Sequence, residues 1–333
     1  MWQTTLISGG IAAASPFSER LLSMTEREGD DGLRLQAHHS GWATCWYAGI
    51  PAKAREHADA GRLLYDPKKH ACHRLVYGGH DPGVCAGTIG AQVEWLLGYP
   101  EKALASIAGS LALGERIAHP FTLSLVLANY SVLCLNRRES EHALTQLAAA
   151  EVLAAEQRVS LVYEPGMLRG VALLGQGAVD EAIARIREGV TKWTRLGHTA
   201  FLPYGLAFLA EGLAQHGDRA AALAALREGL DTALATGEHV WDAELHRLTG
   251  SVLLTENKLD EGQASLWQAI RIAQAQQAKS LELRAARDLA RLWGEQGRRA
   301  QARDLLAPVY AWFTEGFDTV DLKEAKTLLD ELT

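Results

Sequence analysis

Side chains able to do chemistry crowd into one stretch of this chain. Six of its 12 histidines (His38, His39, His57, His70, His73 and His80) fall between positions 38 and 80, with Cys72, Asp81 and Cys85 close by. His70-x-Cys72-His73 followed by His80-Asp81 offers imidazole, thiolate and carboxylate, the donor types of zinc and iron sites. His38, His39, His73, His80, Asp81 and Cys85 are therefore the candidate ligand or metal set. Their spacing matches no zinc-finger pattern, and the pair His-Glu-x-x-His does not occur. In the plainer reading, His80 and Asp81 cap a helix starting near Pro82, and the other histidines bond to loop carbonyls.

Hydrolysis is the next chemistry to weigh. Ser40, Cys45, Cys72 and Cys85 have histidines nearby in sequence, and a nucleophile must lie within hydrogen-bond reach of a base. No Gly-x-Ser-x-Gly turn positions any of them. Phosphate-loop chemistry has no place either, since the Gly-x-x-x-x-Gly-Lys-Ser/Thr pattern is missing. No cofactor is expected.

The third set is a stripe of charge. Glu164, Met167 and Val171, then Tyr204, Ala207 and Glu211, then Glu244, Arg247 and Ser251, then Arg284, Arg287 and Arg291 each share one helix face by spacing. The stripe grows more charged along the chain and ends in three arginines. Such a row can clamp carboxylates or phosphates of a partner bidentately. It can equally be a solvated face with internal pairs such as Glu244 to Arg284. The candidate partner-contacting residues are Glu164, Tyr204, Glu211, Trp241, Glu244, Arg247, Arg284, Arg287 and Arg291. Trp241 counts as an anchor only if it is exposed at the groove rim; otherwise it is a core wedge, as expected for Trp267, Trp293, Tyr310 and Trp312.

These residues need elements to hold them, and the elements repeat. Gly98, Arg138, Gly177, Gly217, Asn257 and Gly297 stand at intervals of 40, 39, 40, 40 and 40 residues. Five residues after each mark come Ala103, Ala143, Ala182, Ala222, Gly262 and Ala302. Ile107, Leu147, Ile186, Leu226, Leu266 and Leu306 follow one turn later, and Ala91, Ser131, Gly170, Ala210, Gly250 and Ala290 stand seven before. Fixed-period matches of this kind predict a helical solenoid. Each mark ends a helix A, because glycine enters a left-handed C-cap cheaply. Asp218 after Gly217 is a natural N-cap for helix B. Pro51, Pro100, Pro120, Pro165 and Pro203 fall at helix starts. Pro308, inside the last helix B, is expected to kink or split it.

The expected fold is an all-α, right-handed superhelix of about seven helix pairs, with an open concave trough. Residues 16–333 form one solenoid domain in this reading, after a frayed or disordered lead-in over 1–15. An irregular insertion covers 66–84, and a single amphipathic helix over 319–332 covers the open end of the stack.

Small residues around a glycine turn resemble the tetratricopeptide repeat (TPR), with longer helices than that family's 34-residue unit. LRLQAHHSGW (33–42), YGGHDPGVCA (77–86) and the stretch 279–332 look like the C-terminal TPR region of large bacterial signalling ATPases. In that family the region often follows a class III adenylate/guanylate cyclase domain and an AAA-like ATPase domain. The resemblance implies a non-catalytic, regulatory protein-interaction module and carries no catalytic residue onto this chain. Its partner would be a protein or peptide, including a cyclase or ATPase domain of the same system. Self-association through the ends of the stack is also expected.

Composition sets the outer limits. A net charge of −7 argues against a general nucleic-acid binder. Four cysteines without a Cys-x-x-Cys pair fit reduced thiols in the cytoplasm. No run reaches the ~18 apolar residues of a membrane span. The remaining alternative function is a small-molecule or metal sensor, or an unusual hydrolase, built on 38–85.

Overall fold

The structure, a computed structural model, describes residues 1–26 and 29–333. Among these residues every regular element is a helix. The chain opens with α1 (Trp2–Ser8) and α2 (Ile11–Thr25). The first hairpin is α3 (Asp31–Tyr47) with α4 (Pro51–Leu64), followed by a one-turn α5 (His73–Val76). Then come α6 (Pro82–Leu96) with α7 (Pro100–Ile117), α8 (Pro120–Asn136) with α9 (Ser140–Gln157), and α10 (Pro165–Gly175) with α11 (Val179–Arg195). The last hairpins are α12 (Leu202–His216) with α13 (Arg219–Thr236), α14 (Asp242–Thr255) with α15 (Leu259–Gln276), and α16 (Lys279–Glu295) with α17 (Arg299–Ala311). A single helix, α18 (Val320–Glu331), closes the chain.

The turns carry the repeat. All six marks have positive φ, including the non-glycine Arg138 (65°) and Asn257 (61°). A second series lies 20 residues further on, at Ala118, Arg158, Gly197, Gly237 and Gln277, and it too is left-handed. Each 40-residue unit is thus two helices joined by two left-handed residues. At the seam the small residues are obligatory. A Cβ on Gly170 would stand 2.6 Å from Cγ1 of Ile186 and 2.9 Å from the Ala182 carbonyl. One on Gly250 would meet Leu266 and the Gly262 carbonyl at 2.8 and 2.9 Å. Pro51, Pro82, Pro100, Pro120 and Pro165 each open a helix, where the missing N–H loses no bond. Helix α17 runs through Pro308 unsplit and ends three residues later.

Residues 1–15 are not a frayed lead-in. Leu6, Ile11 and Ala14 are buried, and the Trp2 indole N–H donates to Thr44 Oγ1 at 2.9 Å. Thr199 N–H donates to the Ile7 carbonyl at 3.1 Å, tying this start to a point 192 residues away.

Other bonds span similar distances along the chain. Ser280 Oγ donates to the Trp95 carbonyl, Arg284 Nη2 to the Asn136 carbonyl, and His239 N–H to the Tyr47 carbonyl. Glu315 accepts from the N–H groups of Glu101 and Lys102. Successive turns of the solenoid therefore touch, and the expected open trough is narrowed to a central cavity. Among the described residues no helix is long and apolar enough to cross a membrane.

Candidate functional site

The inner faces of α10, α12, α14 and α16, the end of α8 and the start of α18 converge on one cavity of about 480 Å³. Its apolar wall includes Leu135, Val171, Leu174 and Phe208. Its polar wall includes Arg138, Arg247, Arg284, Arg287, Glu211, Glu244 and Asp321. Helical spacing accounts for this convergence, because residues three or four apart on each helix A look the same way.

The arginines are held by the chain's own carboxylates. Arg247 forks onto Glu244 through Nε (2.9 Å) and Nη2 (2.8 Å), and its Nη1 donates to Asp288 Oδ2 at 2.6 Å. Arg284 Nε donates to Asp321 Oδ2 at 2.7 Å, and its Nη1 lies 3.6 Å from Glu244 Oε1. Arg287 bonds to Asp288 and to Glu324. Arg138, from the α8–α9 turn, donates to Glu324 Oε2 at 2.6 Å and to Asp321 Oδ1 at 3.3 Å. Two acids of α18 thereby join an arginine at position 138 to arginines near 284. Burial alone pushes a carboxyl up, yet the guanidinium groups hold Glu244, Asp288 and Asp321 below the usual carboxylate range. Glu211 is the exception: burial raises it in spite of Arg247, and it makes no ion pair among the described residues.

The remaining stripe residues go elsewhere. Tyr204 and Trp241 are buried and packed ring to ring at 4.9 Å, so Trp241 is a core wedge and not a rim anchor. Glu164 caps α10 through the Met167 N–H and pairs with Lys192 at 3.0 Å. Arg291 is exposed and outside the cavity lining.

The N-terminal cluster separates into a centre and a periphery. His39 on α3, His80 before α6 and Cys85 in the first turn of α6 bring three donor atoms within 4.8 Å of one another, all buried. His80 Nε2 stands 3.1 Å from His39 Nε2, and Cys85 Sγ stands 3.6 Å from that same nitrogen. Gly78 and Gly79, at φ 77° and 76°, turn the backbone so that His80 enters the interior. The other expected ligands do not join them. His38 pairs with His57 at 3.0 Å, and His73 Nδ1 pairs with Gln36 Nε2 at 2.8 Å. Asp81 caps α6 through the Gly83 and Val84 N–H groups and accepts from the Tyr65 hydroxyl.

Burial decides the charge of this centre. It drives His39 well below the ordinary imidazole value, with His80 and His73 adding to the effect. It lowers His80 to about 4, against the Gly78 hydrogen bond and Asp81, and pushes the Cys85 thiol up to about 12. Cys85 and His39 have nucleophile–base spacing, but a buried thiol held neutral is a poor nucleophile.

No family model matches the chain. It is 28% identical over 273 residues to an uncharacterized protein of Rhizobium meliloti (strain 1021), a match covering 81% of this chain and 26% of that protein. The chain thus spans about a quarter of the length of the curated relative it matches. Among solved structures it is similar to a Rap protein complexed with competence and sporulation factor, with a TM-score of 0.59 at 10% identity over 99% of this chain and 94% of that one. It is also similar to NprR in complex with its cognate peptide NprX, with a TM-score of 0.57 at 12% identity over 90% and 82% of the two chains. The Cut9–Hcn1 hetero-tetramer of APC/C gives a TM-score of 0.56 at 12% identity over 99% and 54%. Identities this low concern the fold alone, and the fold is a TPR-like α-solenoid.

Proposed function

We propose that this chain is a non-catalytic binding and regulatory module that takes a peptide, or a loop of a protein partner, into its central cavity. The observation carrying this reading is the convergence of five helices A and α18 on one cavity with an apolar wall and an ionic wall. A pocket with that division suits a short segment having an apolar side chain beside polar or charged groups. Phe208 and Val171 are the apolar contacts, and Glu211, the acid without an ion pair, receives a cationic or amide group. Arg138 and Arg287 at the α18 side serve a carboxylate of the partner when Glu324 yields its place. The likeness in fold to NprR, crystallised in complex with its cognate peptide NprX, supports a peptide as the occupant.

The partner expected from the resemblance is a cyclase or ATPase domain of the same cytoplasmic signalling system, and the greater length of the Rhizobium relative accords with a module set in a larger protein. The test is peptide display against the purified chain, followed by fluorescence anisotropy of the selected peptides. Phe208→Asp and Glu211→Lys are expected to weaken binding at least about tenfold, while Arg291→Glu leaves it unchanged. Equal affinity of all three variants would place docking outside the cavity and end this reading.

A further inference from the structure

We propose that His39 Nε2, His80 Nε2 and Cys85 Sγ form a buried binding site for one thiophilic d¹⁰ cation, zinc(II) or copper(I). The argument begins with tautomers. The Gly78 carbonyl can only accept, so His80 Nδ1, 3.0 Å away, carries the ring proton and leaves Nε2 bare. Gln36 offers its amide NH₂ to His73 Nδ1, so its oxygen accepts from His39 Nδ1–H at 3.1 Å. His39 Nε2 is then bare as well. This assignment follows from the hydrogen-bond network. Two lone pairs consequently face each other across 3.1 Å, with only one thiol proton at hand to serve either.

A metal ion resolves that opposition. Zinc bonds of ~2.0–2.1 Å to nitrogen and ~2.3 Å to sulfur separate tetrahedral donors by about 3.3 Å for N···N and about 3.6 Å for N···S. The two separations through His39 Nε2, 3.1 and 3.6 Å, lie close to these values, and His80 Nε2 and Cys85 Sγ, within 4.8 Å of each other, close on the ion by side-chain rotation. The outer shell is already in place: a carbonyl behind one histidine and a carboxamide behind the other, as ligating histidines require. Trp42 stacks on His39 at 4.9 Å, Trp2 packs edge-on to it at 5.7 Å, and Phe121 lies 6.2 Å from His80. These rings limit the contact of the site with bulk water, which strengthens ion binding. The Trp42 indole N–H beside this centre is buried with no hydrogen-bond partner among the described residues. Asp81, also buried, adds negative charge beside His80.

Binding releases the Cys85 proton to solvent, the sulfur keeps its electron pair for the metal, and both histidines enter neutral. Three protein donors leave a fourth position to water on zinc and none on trigonal copper(I).

The test uses the full chain, stripped with chelator and desalted. Zinc(II) alone is titrated against a chromophoric chelator, and copper(I) against bicinchoninate. One ion per chain is expected for at least one of the two metals, with affinity reduced at least about tenfold in Cys85→Ser and in Gln36→Ala. Cobalt(II) bound to the wild-type chain should show a thiolate charge-transfer band, a readout that does not depend on any variant folding. His57→Gln, in the neighbouring pair, should bind as the wild type does. Retention of neither metal overturns the proposal, as does binding that Cys85→Ser leaves intact or a cobalt spectrum without the thiolate band.

Discussion

The two halves of the molecule bury polar side chains by opposite means. Around α3 and α6, His39, His80 and Cys85 are buried as neutral groups, and burial itself removes their charge. Around α14, α16 and α18, Glu244 is buried and Asp288 and Asp321 are half-buried, all three as ions, because Arg138, Arg247, Arg284 and Arg287 surround them. Neutral donors with bare lone pairs are ready for a cation. Paired arginines are not free for a foreign anion until an internal acid leaves. The same depth in one fold thus gives a ready site at one end and a self-occupied one at the other.

The contrast breaks most visibly at Arg284. Its guanidinium serves Asp321, Glu244 and the Asn136 carbonyl, and Arg284→Met leaves the buried Glu244 and the half-buried Asp321 short of a counter-ion. The expected loss is about 3–5 kcal/mol in urea unfolding. A loss below about 1 kcal/mol would mean that water, and not the arginine, supports those acids.

Glu238 sharpens the contrast by supplying a buried carboxyl with no cation paired to it among the described residues. Its Oε2 accepts from the Phe201 N–H at 2.8 Å, and its Oε1 has no partner. Burial raises its pKa to about 8, with Asp242 adding to the effect. A raised folded-state value gives stability that is complete below the unfolded value of ~4.3 and is lost as pH rises through about 8. Unfolding free energy should therefore fall by on the order of 2–3 kcal/mol between pH 5 and pH 8. Glu238→Gln should flatten that slope, and an unchanged slope would assign it to other groups. The paired acids act at the other end of the scale. Their lowered values give stability that is present above the unfolded carboxyl range of ~4 and is lost only in stronger acid.

Substitution in the neutral centre should cost less. In metal-free protein, His80→Phe removes a hydrogen bond to Gly78 and one half of the lone-pair opposition, and no charge is orphaned. The expected loss is about 1–2 kcal/mol in urea unfolding. A loss as large as that of Arg284→Met would show that the histidine carries charge after all.

How much of this was legible follows from the range of each interaction. The 40-residue period and the seam residues are local, so Gly170 against Ala182 and Ile186 could be read from spacing. The second turn series is not legible in the sequence, because Ala118, Arg158 and Gln277 are not residues that announce a left-handed backbone. The helices over 1–15 are illegible for a different reason. They are held by partners such as Thr199, and curvature, which no periodicity encodes, sets which repeats meet. The arginine stripe was visible as a face of α16, but its pairing with Asp321 and Glu324 depends on that same curvature. In the histidine block composition pointed to the right region. Separating His39, His80 and Cys85 from His38, His73 and Asp81 required the crossing of α3 over α6.

Helix α18 holds both extremes of ion pairing within ten residues, and the smallest expected effect lies there. Asp321 and Arg284 have side chains 13% and 8% exposed, whereas Lys326 and Asp330 are 52% and 63% exposed. The second pair sits one turn apart on the outer surface, where water solvates both ions and salt screens their attraction. Lys326→Ala should therefore change stability by no more than about 0.5 kcal/mol, and the change should vanish in high salt. The helix, the acid type and the nominal interaction are all shared with the Arg284 pair. Any large loss in Lys326→Ala would mean that α18 depends on its own helicity, and that the inner carboxylates are passengers and not the anchors that close the cavity.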